Sequence, residues 1–399
     1  MNRKATRFLA LAGALAPSLA SATLLINDGG THSILAATAQ SVLVDNGSEL
    51  RIAGGGSITG DGTNTSSSLA RGALSAGPLS NSTIRLSDSA QVFAGSDQYA
   101  IARSLGGRLY LSGDSQVHGG IFGFATTSPP TSPTLRTYLS DNAVVNGNVD
   151  TDGLVSLSGN SLITGHLFEN NGGIALEMNG GTIQGRVSTS SLVGHSALIN
   201  DGAILGGYGG NASNIDFSIH GGLIDGGWSV YSQDMLVELR GGQINGGMLF
   251  GSIADPNATG DRVSIFSGAI DATAGGWLLD FASGFDFGGA TSFDCSANTT
   301  RFDIWGGQLG GSSAGNGIRL DYCATLDVYG TGLSYSGGWL TGLLADGSLL
   351  NVAVSEVDRW GGAIRLHDVS VPEPGTLGLL GLALGAMAMT RRRRAQANS

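Results

Sequence analysis

The chain has 399 residues, of which 67 are Gly, 13% are charged and 41% are hydrophobic, a composition too apolar for intrinsic disorder and suited to many short strands joined by tight turns. Seven of the 20 basic residues (Arg3, Lys4, Arg7 and Arg391 to Arg394) and one of the 31 acidic residues, Glu373, lie in the two ends. The body keeps 13 basic and 30 acidic residues, net −17, and no lysine. A field of that sign repels nucleic acid and attracts cations, which argues against a nucleic-acid partner.

Met1 to Arg7 is basic, Phe8 to Ala20 is nearly all apolar, and Ala20-Ser21-Ala22 puts small residues where a signal peptidase reads. This order predicts a secretory signal peptide over residues 1–22, cut between Ala22 and Thr23, in preference to an uncleaved anchor or a core helix.

The body, residues 23–370, repeats. Leu86 to Asp97 (LSDSAQVFAGSD), Leu111 to Phe122, Leu139 to Asp150 and Leu157 to Phe168 align without gaps, and a shorter version continues from Met178, His220 and Arg240. The last apolar residue before each turn serves as a marker: Leu86, Leu111, Leu139, Leu157, Met178, Ile199, Ile219, Leu239, Ile265, Ile304 and Val328. The steps are 25, 28, 18, 21, 21, 20, 20, 26, 39 and 24. The step of 39 suggests one more unit around Phe285 and Phe287. Apolar and polar residues alternate before each turn, as in Phe217 and Ile219 against Ser218 and His220. A further apolar residue follows it: Ile183, Ile204, Ile224, Ile244 and Ile270. A step near 20 with strand alternation predicts an all-β fold, a right-handed parallel β-helix with the Gly pairs at its corners. About 15 coils at roughly 4.8 Å would make a rod of roughly 70 Å. The competing fold is an antiparallel sandwich or propeller, but a propeller blade needs about 40 residues. Thr23 to Ser41 and Tyr335 to Val369 are the candidate caps. Asp61 to Ser68 and Thr126 to Pro133 read as loops.

Phe266, Trp305 and Tyr329 fall in one outward row, a candidate sugar-stacking platform or simply a stiffening stack. Glu238, Asp303 and Asp327 line the adjacent row, with Arg240 and His220 in reach. Carboxylates on neighbouring coils could bind Ca²⁺ or form a solvated polar face. His118, His166, His195, His220 and His367 sit in different units without metal-ligand spacing. Cys295 and Cys323, 28 residues apart, are a candidate disulfide in an exported chain, the alternative being two free thiols.

The end of the chain has three parts: Val371-Pro372-Glu373-Pro374-Gly375, an uncharged apolar run from Gly375 to Thr390, and Arg391-Arg392-Arg393-Arg394, before a short tail, residues 395–399. The 16-residue run is about 24 Å long as a helix, short for a span unless the Arg side chains snorkel. Four Arg on one side fix them in the cytoplasm and the body outside. Residues 371–394 resemble the PEP-CTERM sorting signal, with its motif at Pro372, Glu373 and Pro374. The resemblance implies transient anchoring in the inner membrane, exosortase as a processing partner and a link to exopolysaccharide, while the pattern of residues 1–22 adds signal peptidase as the other processing partner. The carboxylate row is also similar to the faces that right-handed β-helix polysaccharide lyases and hydrolases use, some with Ca²⁺. Gly55 to Thr63 is similar to one imperfect copy of a Ca²⁺-binding Gly/Asp nonapeptide. No motif marks a catalytic centre. The expected function is that of a non-enzymatic surface or biofilm-matrix protein without a cofactor. The alternatives are a polysaccharide lyase or hydrolase and a glycan-binding adhesin.

Overall fold

The computed structural model describes residues 23–62, 72–77, 81–104, 107–124, 135–168, 174–189, 195–252, 261–272, 276–281, 301–310, 317–320, 324–355 and 362–369. Among them there is no helix, and the strands pair coil on coil in three ladders. The first ladder runs from Leu24–Ile26 and Val42–Val44 to Leu279–Phe281 and Ile318–Leu320. The second runs from Thr31–Ile34 and Glu49–Ile52 to Arg301–Ile304 and Thr325–Ser336. The third runs from Ala37–Thr38 and Ser57–Thr59 to Arg262–Asp271 and Gln308–Gly310. Every pairing along these three ladders is parallel. The strand Trp228–Asn245 serves all three within one coil.

Side-chain alternation sets the register. All eleven sequence markers stack in one row, each paired with the next, from Leu86 and Leu111 through Met178 and Ile199 to Ile304 and Val328. Val92, Val117, Val145, Ile163, Ile183, Ile204, Ile224, Ile244 and Ile270 form a second buried row. Burying each such side chain contributes about 1.5–3 kcal/mol. Mid-rod the interior holds larger groups: Tyr208, Phe217, Trp228, Phe250 and Phe302 pack ring against ring.

One expectation is corrected. Ile265 pairs directly with Ile304, so no unit intervenes in the step of 39. The extra residues enter a single coil between Leu279–Phe281 and Arg301–Ile304, and Phe285 and Phe287 lie outside the described residues. Among the described residues the first ladder holds thirteen strands before the closing segment, against about 15 coils expected.

The corner between the second and third ladders changes length along the rod. Four residues separate the strands in the early coils, as in Ser87 to Ala90 and Ser112 to Ser115. From Asn179 onward there are three, and the pairing shifts register between Gly159 and Leu162. The last residue of the longer corner is buried in each coil: Ala90, Ser115, Ala143 and Ser161. The hydroxyls of Ser115 and Ser161 have no hydrogen-bond partner among the described residues. An unmatched buried hydroxyl costs stability, and the neighbouring coils place alanine there. Ser115→Ala should therefore raise the midpoint of urea unfolding, by about 1 kcal/mol in stability; a lowered midpoint would show that the hydroxyl is bonded.

The far end is closed by antiparallel pairing. The second-ladder strand Thr325–Ser336 runs on into a hairpin with Trp339–Leu344, which pairs in turn with Leu349–Ser355. Leu340, Leu344, Leu350 and Val352 point onto the core and are buried. Ala363–Asp368 then pairs in parallel with Thr325–Ser336, as a last partial coil. At the other end Thr23 to Ser41 forms the first coil itself, and Leu25 and Leu35 are exposed there.

Candidate functional site

The outer face at the C-terminal end of the second ladder carries the densest polar and aromatic grouping. Each residue that follows a marker emerges at the same corner, so Arg240, Phe266, Trp305, Tyr329 and His367 form one column. The Arg240 guanidinium lies 4.2 Å from the Phe266 ring centre. Phe266 and Trp305 are 6.5 Å apart, Trp305 and Tyr329 3.6 Å at 4°, and Tyr329 and His367 4.5 Å at 13°. The planes of Trp305, Tyr329 and His367 are nearly parallel, and these three rings cover one another's faces. A pyranose packs on an open ring face, and here mainly ring edges point outward. This favours the stiffening stack over the sugar platform.

One position before the marker, Glu238, Ser264, Asp303 and Asp327 are paired in sequence across the coils. Asp303 and Asp327 are 1% exposed, so these two do not form an open carboxylate face. Arg301 Nε lies 3.1 Å from Asp303 Oδ1 and 3.1 Å from Asp327 Oδ2, and Arg262 Nε lies 3.1 Å from Asp303 Oδ2. His367 Nε2 is 2.6 Å from Asp327 Oδ1. Arg301 Nη2 donates to the Tyr329 hydroxyl at 3.0 Å, and that hydroxyl donates to Asp303 at 3.3 Å. Burial works against the Arg301 charge, but Asp303, Tyr329 and Asp327 outweigh it and hold the guanidinium above its ordinary value. Burial, and then the Asp303 charge, push the Tyr329 hydroxyl up against the hydrogen bond from Arg301. Glu238 is separate from this network and pairs with Arg240 at 3.0 Å. His220 is exposed at the same corner. Among the described residues, no three His, Cys, Asp or Glu side chains converge as metal ligands.

The sequence points to Phe266, Trp305, Tyr329, Asp303 and Asp327, but it does not single out Arg262 and Arg301, and it names His367 only among scattered histidines. A signal was present. Arg262 and Arg301 each lie three positions before a marker, on the same strand face as the acid row, and His367 follows Leu366, which pairs with Val328.

Beside the column runs a groove lined by Gly242, Gly268, Gly307, Gln243, Gln308 and Asp346. Asp346 fastens the closing hairpin to this corner. It accepts from the Gly307 N–H at 2.7 Å and the Ser348 N–H at 2.9 Å, and its own N–H donates to the Trp305 carbonyl. Burial works to raise its carboxyl, but the hydrogen bonds from the Ser348 hydroxyl and these two N–H groups hold it below the ordinary 3.8. A carboxyl depressed in the folded state contributes stability above its unfolded value and loses it as pH falls through the folded one. The melting temperature should thus drop on acidification below about pH 4, and Asp346→Asn should make that drop shallower. A pH profile in which wild type and variant run parallel would refute the assignment.

Cys295, Cys323, Ala22, Pro372, Glu373, Pro374 and Arg391 to Arg394 lie outside the described residues, as do most of the two expected loops. No helix among the described residues is long and apolar enough to cross a membrane. No curated protein and no solved structure matches the chain. Residues 370–394 match the family model described as the PEP-CTERM protein-sorting motif. The motif follows directly on Ala363–Asp368, the last strand among the described residues, and it supports export and sorting by exosortase.

Proposed function

We propose that the protein is a rigid, non-enzymatic component of the cell surface or extracellular matrix, associated with exopolysaccharide. Residues 1–22 direct export and are removed by signal peptidase before Thr23. The run from Gly375 to Thr390, stopped by Arg391 to Arg394, holds the chain in the inner membrane until exosortase acts. The body is a right-handed solenoid, the hand that parallel crossovers almost always take. The observation that carries this reading is the continuity of the three ladders from Leu24 to the closing hairpin, next to the sorting motif. On the outer face, Asp303 and Asp327 are held by arginines and the rings by other rings, as a stiff rod requires and an open catalytic groove does not.

The test follows the full chain, with an antibody to the body, in hosts with and without exosortase. A shorter form in the surface or matrix fraction is expected only where exosortase is present, and Glu373→Ala should retain a longer, membrane-bound form. Equal size and location in both hosts would refute the processing. Polysaccharide cleavage by the purified chain would replace the structural role with an enzymatic one. Glycan binding that disappears in Trp305→Ala would restore the adhesin reading.

A further inference from the structure

We propose that the corner joining the third ladder to the first, near the N-terminal end, is a binding site for a hard divalent cation of the Ca²⁺ class. Ser41 precedes Val42–Val44, Asp61 follows Ser57–Thr59 and Asp97 follows Gln91–Phe93, so consecutive coils bring the three together. The Ser41 Oγ lies 2.7 Å from Asp61 Oδ1 and 2.8 Å from Asp97 Oδ2, and it accepts from the Asp61 N–H at 3.1 Å. A hydroxyl has one proton, so it can satisfy only one of the two carboxylate oxygens. Ser41 is fully buried and Asp97 is 8% exposed. The second Asp97 oxygen, Oδ1, is buried with no hydrogen-bond partner, and no Arg or His among the described residues forms an ion pair with Asp97.

Gly60 makes the space. A methyl there would lie 2.3 Å from both Asp97 Oδ2 and the Ala94 carbonyl oxygen. Two carboxylates and a hydroxyl thus meet at one corner, where Asp97 is buried with one carboxylate oxygen unpartnered. That donor set is all oxygen, as Ca²⁺ prefers. The net charge of the body raises the local cation concentration further. This site is distinct from the Asp303 and Asp327 network, whose carboxylates already face arginines. It does not depend on the proposed surface role.

The experiment uses the full chain in neutral detergent, stripped with EDTA and then titrated with Ca²⁺ alone, by calorimetry and thermal melting. Extracellular sites of this kind bind at about 10⁻⁴–10⁻³ M, so roughly 10 mM Ca²⁺ should raise the melting temperature by a few degrees. Asp97→Asn supplies an amide that donates to Ser41 Oγ. This variant should melt higher than wild type in EDTA and gain nothing from Ca²⁺. A wild type that neither binds Ca²⁺ nor responds to it would overturn the proposal. An undiminished response in Asp97→Asn would overturn it by placing the ion elsewhere.

Discussion

Arg301→Leu is expected to destabilise the protein by about 3 kcal/mol, the lower end of the range for breaking a buried ion pair. The asymmetry of burial sets the size. Asp303 and Asp327 are each 1% exposed, whereas the Arg301 side chain is 47% exposed and Arg262 59%. Removing the arginine leaves two adjacent buried carboxylates that share a net negative charge, softened by Arg262 and His367, which remain. Removing a carboxylate instead frees an arginine that water can reach. Asp303→Asn should therefore cost only about 1–2 kcal/mol. Adding Asp303→Asn to Arg301→Leu should recover part of the loss, because it removes one of the two buried carboxylate charges that then lie side by side with only Arg262 and His367 beside them. Urea unfolding at neutral pH measures all three variants. Equal costs for the two single changes, or a double variant weaker than both, would show that the arginine acts through packing alone.

The same asymmetry explains what could be read from the sequence. The interior rows are local in their logic, since alternation within a strand names the inward residue and turns separate the strands. The markers from Leu86 to Val328 could therefore be placed without coordinates, and every one pairs with the next in the structure. The shorter version of the repeat from Met178 onward was also visible, and the corner that drops from four residues to three after Ser161 is its cause. The insertion before Arg301 was misread because steps near 20 set the expected length, and a step of 39 looked like two. A solenoid coil has no fixed perimeter outside its ladders, so a long excursion between two strands mimics an extra turn.

The outer network was legible only by composition. The acid row and the aromatic column were recognised because each residue type recurs at a fixed offset from a marker. Whether the acids were open or covered depended on arginines from the same and the preceding coil, up to 41 residues away in sequence. That distance varies with every loop, so no spacing rule predicts it. The sorting motif is the opposite case. Charge, apolar length and Pro-Glu-Pro occur in one short stretch, and their order alone identifies it.

Gly202→Ala should cost about 3 kcal/mol or more, since it combines a strained backbone conformation with a backbone collision. Gly202 has φ +103°, and a methyl there would lie 2.7 Å from the carbonyl oxygens of both Gly180 and Gly181 in the preceding coil. Neither oxygen can swing away without loosening the pairing of Thr182 with Ala203 and of Ile183 with Ile204. The contact recurs along the corner. A methyl on Gly222 would meet the Gly202 carbonyl, one on Gly242 the Gly221 carbonyl, and one on Gly268 the Gly242 carbonyl. Glycine is needed here for close approach between coils as well as for the sign of φ. Gly347 separates the two effects: its φ is +86° with nothing within 4 Å of the added methyl. Gly347→Ala should then cost only the conformational strain, about 1–2 kcal/mol. Because each coil touches only its neighbours, the damage from Gly202→Ala should be local. Amide exchange should accelerate across 178–183 and 199–204 well before it does at the closing hairpin. Equal costs for the two alanines would show that φ alone demands glycine at this corner, and uniform loss of protection would show that the rod unfolds as a single unit.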